Sequence, residues 1–386
     1  MEGTTEREDG HEERHGEGHE EGHEEGQYYE EVRASMAIRE EQYYQLQDYL
    51  FQLTKTCLEQ RISYFQPDTT DLESYCKSIE GYRQDFQNMI GYPPPHGETE
   101  LEVKQVFVAE DNLCRIYRMY IQVAEGLECY GIFMVPKRVG GSGGRLPLVL
   151  NFHGGRGAPE MICNFEKPFN YKDSSRKFVK QGFAVFAPLI TMKCAVDKGE
   201  DRLPGHARNE VRTLLEIRAI SAGTSLFAIE MLKMKRALDA LLSRSDIDAT
   251  CVGTAGLSFG GMTAIALAAL DERIRFCICS GGVYSADRYM TDPDVELSGF
   301  SWNAKYMTKF SCVEMIAMIC PRLCLIEAGD EDPGIPLESC RDEVERAQEF
   351  YVKMGVGEKF KFFPFSGGHV ARLEESMEVL LSQLFR

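Results

Sequence analysis

No stretch of this 386-residue chain approaches ~18 consecutive apolar side chains, so no membrane-spanning helix is expected. Nor does an apolar leader open it: Met1 is followed by acids, glycine and histidine. Paired-cysteine spacing is also missing. The thirteen cysteines are an odd number, and the nearest sets, Cys277-Ile278-Cys279 and Cys320/Cys324, are not CxxC. Reduced thiols in a cytoplasmic protein are the expectation. Basic charge is scarce, with 43 Lys and Arg against 61 Asp and Glu, a net charge of −18 and a pI near 5.0. That balance argues against nucleic-acid or anionic-membrane partners. Half of it sits at the start, where residues 1–26 hold eleven acids against Arg7 and Arg14, and the body is only mildly acidic. An apolar fraction of 43% is enough for a sizeable core and excludes disorder throughout.

Three regions follow from texture. Residues 1–34 read as a disordered acidic tail rich in His, Glu and Gly. Within it, His11-Glu12-Glu13-Arg14-His15 matches HExxH, and His19 and His23 continue the four-residue repeat. A zinc site of that kind needs a stable helix lining an apolar cleft. Gly16, Gly18 and Gly22 and the lack of an apolar stripe argue against one, so no metal and no cofactor are expected. Residues 35–100 read as a helical extension and linker. Leu46, Tyr49, Leu50, Leu53 and Cys57 have helical spacing within 35–66, and a second helix over 71–89 has Thr69 or Thr70 available as cap. Pro93-Pro94-Pro95 ends it.

Residues 101–386 alternate strand and helix patterns. Strands are predicted at 101–109, 114–123, 130–135, 146–152, 184–190, 250–255, 276–280, 323–327 and 360–365. Helices are predicted around 177–181, 222–242, 260–270 and 337–354 and at the C-terminus, and the glycine run at 140–144 reads as a turn. The near-continuous apolar run of 146–152 fits a strand buried on both faces. Such alternation predicts an α/β fold with a mostly parallel sheet and helices on both sides, with ligands at the carboxyl ends of its strands.

The chemistry concentrates at those ends. Gly256-Leu257-Ser258-Phe259-Gly260-Gly261 joins a predicted strand to a predicted helix, where a tight turn would present the Ser258 hydroxyl above the sheet. A serine hydroxyl needs a neighbouring base. Of His96, His153, His206 and His369 beyond the tail, His369 follows the predicted strand 360–365 and precedes the last helix, where a base could meet Ser258. His96 lies in the proline-rich linker, His206 in a polar loop, and His153 reads as a loop-bracing residue. A carboxylate must orient the base. Asp330, Glu331 and Asp332 all follow a buried strand, and Pro333-Gly334 favours a turn there. Donors for a developing oxyanion are expected from the Gly155 N–H, in Phe152-His153-Gly154-Gly155-Arg156-Gly157, and the Phe259 N–H.

With these residues the sequence resembles the α/β-hydrolase superfamily, and within it the acetyl xylan esterase-like, dienelactone hydrolase-like and prolyl oligopeptidase-like branch. The order Ser258, acid, His369 carries the resemblance. So do Tyr82-Arg83 with Ile90-Gly91-Tyr92-Pro93, the HGG loop, Gly223-Thr224-Ser225-Leu226, Leu238-Asp239-Ala240-Leu241 and the segment from Ala268 to Ile274. Gly329-x-x-Asp332-x-x-x-Pro336 and Gly367-Gly368-His369 complete it, over about 70–386. The resemblance implies an α/β-hydrolase fold with Ser258 as nucleophile, Asp332 as acid and His369 as base. A serine in place of the cysteine of dienelactone hydrolases favours a carboxylic-ester hydrolase acting on a small-molecule ester. A prolyl oligopeptidase-like peptidase is the enzymatic alternative. Peptidase relatives commonly carry a β-propeller, which some 70 helical residues cannot build. A non-catalytic binding protein on the same fold is the other. Segments 157–175, 191–215 and 284–311, the last holding the single tryptophan Trp302, are expected to wall the pocket. Acyl group, alcohol and any homo-oligomeric state are not legible.

Overall fold

Apolar runs too short for helices form the centre of the molecule. The computed structural model describes residues 28, 30–95, 99–137, 144–165, 169–193, 210–285 and 306–384. The tail with its HExxH match, His96, His206, Trp302 and most of the glycine run at 140–144 lie outside the described residues. Six strands pair in parallel: β4 (Leu146–Phe152), β5 (Ala184–Pro188), β6 (Ile247–Leu257), β7 (Phe276–Ser280), β8 (Leu323–Gly329) and β9 (Phe360–Phe365). An antiparallel meander, β1 (Val103–Glu110), β2 (Cys114–Ala124) and β3 (Leu127–Pro136), joins them through β3 and β5. The resulting nine-stranded sheet has the order β1-β2-β3-β5-β4-β6-β7-β8-β9.

Side chains alternate across these strands, so each feeds two separate cores. Leu148, Leu150, Phe152, Cys277, Cys279, Cys324 and Ile326 enter one core. Val149, Phe276, Ile278, Leu323 and Leu325 enter the other. The first is closed by α2 (Cys57–Tyr64), α3 (Leu72–Ile90), α7 (Leu226–Leu242), α8 (Phe259–Leu270), α10 (Cys312–Ile319) and α11 (Leu337–Lys353). The second is closed by α4 (Pro159–Ile162), α5 (Ser174–Lys180) and α12 (Glu374–Leu384). Among the described residues the remaining helices are α1 (Met36–Lys55), α6 (Glu210–Ser221) and α9 (Tyr306–Lys309). This mostly parallel sheet with helices on both faces is an α/β-hydrolase fold.

The chain separates into two compact units, Met1–Leu50 and Phe51–Arg386. In the second, α2 and α3 are tied to the helices around α8: Arg61 Nη1 donates to Met307 O at 2.6 Å, the Tyr75 hydroxyl to Ala317 O at 2.8 Å and Arg83 Nε to Ala269 O at 2.8 Å. No residue of α1 is buried.

Two local readings need correction. The helical stretch at 35–66 is broken at Thr56, where the Thr54 and Thr56 hydroxyls donate to carbonyls three residues back and compete with the helical ladder. The cap of α3 is Asp71, whose Oδ1 accepts the Ser74 N–H at 2.8 Å. Thr70, one residue earlier, instead donates its N–H and hydroxyl to Asp68.

Candidate active site

β4 lies between β5 and β6, so the chain reverses its direction of travel across the sheet there, and the carboxyl ends of β4 and β6 lie where such sheets bind ligands. Ser258 alone separates the end of β6 from the start of α8. Its backbone sits at φ 60°, ψ −126°, a region that costs a side-chain-bearing residue ~1–3 kcal/mol and persists only where surrounding contacts hold it. Those contacts are the Ser258 N–H to Ser280 O at 2.8 Å and the Met262 N–H to Ser258 O at 3.0 Å. From Val252 to Asp271 every residue is buried except Ser258, which is half-buried. The turn therefore presents one hydroxyl out of an otherwise sealed strand and helix. It depends on close backbone crossing: a methyl at Gly256 would lie 2.4 Å from the Gly260 carbonyl, and one at Gly260 would lie 2.2 Å from Phe152 O.

His369 follows β9 and meets the segment after β8. Its Nδ1 lies 2.6 Å from Asp332 Oδ2, and the other oxygen of Asp332 accepts the Gly334 and Ile335 N–H groups at 2.9 and 3.1 Å. Burial raises the carboxyl pKa, but the His369 contact and the two backbone donors outweigh it and hold Asp332 below its ordinary range. Asp330 faces elsewhere. It is exposed, and its Oδ1 accepts the Gly367 N–H at 2.9 Å, so it braces the histidine loop. Ser258 and the His369–Asp332 pair meet across 280–282. Ser280 O takes the Ser258 N–H, while a methyl at Gly281 would lie 3.1 Å from the His369 ring and 3.3 Å from Asp332 Oδ2.

The loop after β4 carries Gly155, exposed and without a hydrogen bond from its N–H among the described residues. Phe259 begins α8 directly after Ser258. His153 is wholly buried and holds the loop from within: its Nε2 accepts the Ile190 N–H at 2.9 Å, which leaves Nδ1–H to donate to Gly154 O at 2.8 Å. Burial pushes its pKa down to about 4, so it stays a neutral brace. Among the described residues, every non-glycine residue with positive φ sits in these loops: Arg156, Asn164, Lys172 and Asp173 after β4, Ser258 after β6 and Leu373 after β9.

Sequence reasoning missed three supports. Glu327, buried on β8, accepts from Ser280 Oγ at 2.7 Å, Ser376 Oγ at 2.6 Å and the Leu373 N–H at 3.0 Å. A lone acid in an apolar strand was the available signal. Glu230 and Lys233, paired at 2.8 Å inside α7, hold the loop after β5 through the Met192 N–H, Leu189 O and Thr191 Oγ1. Their charges on the buried face of an apolar helix were readable. Tyr171, whose hydroxyl accepts the Gly154 N–H at 3.0 Å, gave no signal. No group of three or more metal-ligating side chains is arranged around a common point among the described residues.

Fold and site together define a hydrolase of the α/β-hydrolase class. Known proteins narrow this. The family model for acetyl xylan esterase matches residues 96–286, and that for the prolyl oligopeptidase family matches 233–384. YtaP of Bacillus subtilis (strain 168) is 25% identical over 299 residues, covering 74% of this chain and 92% of its own. The structure of BF1801 from Bacteroides fragilis NCTC 9343 superposes with a TM-score of 0.61 at 14% identity, over 78% of each chain. The glucuronoyl esterase from Solibacter usitatus gives 0.54 at 16%, over 83% of this chain and 97% of its own. The chain is an acetyl xylan esterase-like α/β-hydrolase, a serine esterase by class.

Proposed function

We propose that the protein hydrolyses carboxylic esters through an acyl-enzyme on Ser258, with His369 as base, Asp332 as its orienting acid, and the Gly155 and Phe259 N–H groups as oxyanion donors. The observation that carries this reading is the placement of the half-buried Ser258 on its strained turn beside the 2.6 Å His369–Asp332 pair. Asp332, held ionised, accepts a hydrogen bond from the Nδ1–H and so leaves the Nε2 lone pair free to take the Ser258 proton. The serine oxygen adds to the ester carbonyl, and the negative charge on the carbonyl oxygen falls to the two backbone donors. As the tetrahedral species collapses, His369 protonates the departing alcohol. Water then repeats the sequence on the acyl-enzyme, losing its proton to His369 and releasing the acid and free Ser258.

The acetyl xylan esterase match over β1 to β7 supports a small acyl group on a carbohydrate alcohol as the substrate class. Rates on p-nitrophenyl esters of graded acyl length and on acetylated xylan test it, with fluorophosphonate labelling. Ser258→Ala should lose at least ~10⁴-fold in turnover and all labelling while staying folded. Full activity in that variant would overturn the assignment. The prolyl oligopeptidase match over 233–384 favours a second reading, amide hydrolysis, and faster turnover of peptide amides than of matched esters would select it. We assign catalysis to 101–386, with 35–100 as a helical extension and 1–34 as an acidic tail. Unchanged kinetics on small uncharged esters after deletion of 1–26 is the test of the last part. We also place the protein in the cytoplasm. Support comes from the cysteines, since none of the twelve described is in a disulfide and most are buried.

A further inference from the structure

We infer that Tyr171 is a positioning residue for the oxyanion donor at Gly155, in a segment that locks the oxyanion loop to the histidine loop. The inference rests on the reading of Gly155 given under Proposed function. Gly154 carries both constraints. Its carbonyl accepts the His153 Nδ1–H at 2.8 Å and the Gly157 N–H at 3.1 Å. A trans peptide is planar, so fixing that carbonyl inward turns the Gly155 N–H outward, on the opposite side of the same peptide. Gly154's own N–H, one peptide earlier, is held by the Tyr171 hydroxyl at 3.0 Å. With both peptides pinned, the rotation about Gly154 that would swing the Gly155 N–H away is blocked. Gly154 is also packed against the nucleophile: a methyl there would lie 3.2 Å from Ser258 Cβ and 3.7 Å from the Tyr171 oxygen. Tyr171 itself is 2% exposed and has no room to turn.

The residues around Tyr171 reach the other catalytic loop. Asn170 O accepts the Ala371 N–H at 2.9 Å, two residues beyond His369, and Lys177 Nζ donates to Arg372 O at 2.6 Å. On the strand below, Asn151 Nδ2 donates to Ser174 Oγ and Ser175 Oγ at 3.0 and 2.9 Å, anchoring the start of α5. The stretch 170–177 thus spans from the oxyanion donor to the base and is itself fixed to the sheet.

Tyr171→Phe tests the assignment, because it removes one hydroxyl and no bulk. The wild type and the variant are compared on an oxygen ester and its thionoester, below both unfolding midpoints. An oxyanion site set for oxygen discriminates against the longer, weakly accepting C=S bond, and a merely loosened fold does not change that discrimination. The variant should lose about 10- to 100-fold in kcat on the oxygen ester with KM within about threefold, and its oxygen-to-thiono preference should shrink. An unchanged kcat, or a lower kcat with an unchanged preference, overturns the positioning role. If the wild type neither turns over esters nor labels at Ser258, the hydrolase reading itself fails. A labelled, active wild type with an indifferent Tyr171→Phe sinks only the present inference.

Discussion

Asp332 Oδ2 lies 2.6 Å from His369 Nδ1, whereas Asp330, two residues earlier, spends its carboxylate on the Gly367 N–H. The two acids share a loop and differ in what they hold. Asp332→Asn should cost on the order of 10³–10⁴-fold in kcat, since it loses the charge that supports the imidazolium. Its one remaining oxygen stays with the Gly334 and Ile335 N–H groups and turns the amide NH2 toward Nδ1, against the tautomer the base needs. Asp330→Asn keeps an oxygen for Gly367 and should cost less than about tenfold. Side-by-side kcat values decide between them, and the larger loss at Asp330 would reassign the acid.

Much of this site was legible because its parts lie where strands end. The parallel strands from 146–152 onward showed themselves as short apolar runs, and Ser258, the 330–332 acids and His369 each follow one. Asp332 was separable from Asp330 only by the spacing to Gly329 and Pro336 and the turn at Pro333-Gly334. What stayed hidden depends on non-local hydrogen bonds. Tyr171 is seventeen residues from the Gly154 N–H it accepts, and no periodicity marks a tyrosine for that role. Helix ends were likewise obscured, as at Asp71, which caps α3 while Thr70, one residue earlier, bonds to Asp68.

Glu327 ties the Ser258 side of the site to the His369 side. Ser280 gives its carbonyl to the Ser258 N–H and its hydroxyl to Glu327, while Leu373 and Ser376 bind Glu327 from beyond His369. Burial raises this carboxyl's pKa against the pull of Ser376, Ser280 and Leu373. Glu327→Leu leaves two hydroxyls and an N–H without their acceptor, each costing about 1–3 kcal/mol. We expect a marked fall in unfolding free energy together with a large loss of kcat. Glu327→Gln retains one acceptor oxygen and should lie between that variant and wild type on both scales. Denaturant unfolding and ester kinetics on the pair check this, and a Leu variant as stable and active as wild type would remove Glu327 from the site's support.

His153 predicts an acid-labile contribution to stability. Burial lowers its pKa from 6.5 to about 4 in the folded protein. Between these values the unfolded chain binds more protons, so this contribution is full above pH ~6.5, falls as the pH drops and levels off below pH ~4. The span corresponds to about 3 kcal/mol. Glu343 works the other way. Burial first, then the neighbouring Glu314, push it up to about 7, so its effect weakens the fold as pH rises from about 4.5 to 7. The overall slope is therefore mixed, and the difference between wild type and His153→Gln isolates the histidine. The variant should be less stable at pH 7.5, with a gap about 2 kcal/mol smaller at pH 4.5. Urea titrations at the two values measure it, and a pH-independent gap would mean that His153 is not held neutral.

Two glycines separate the demands of folding from those of chemistry. At Gly256 an added methyl would meet the backbone of Gly260 at 2.4 Å, and backbone cannot step aside without parting β6 from α8. Gly256→Ala should therefore destabilise by about 3 kcal/mol or more, and lost activity there would follow lost structure. Gly281 has φ +52° and faces the His369 ring at 3.1 Å and Asp332 Oδ2 at 3.3 Å, contacts that yield by a few tenths of an ångström. Alanine in that backbone conformation costs about 1 kcal/mol, which a domain of this size tolerates. The methyl would instead press His369 away from Ser258, and since near-attack geometry degrades steeply with such shifts, kcat should fall by about 10- to 100-fold. Thermal unfolding and kcat measured on both variants give a crossed pattern: a large stability loss at Gly256, and a large kcat loss with a modest midpoint shift at Gly281. If Gly281→Ala kept full kcat, the His369 position inferred from its contact with 281 would be wrong.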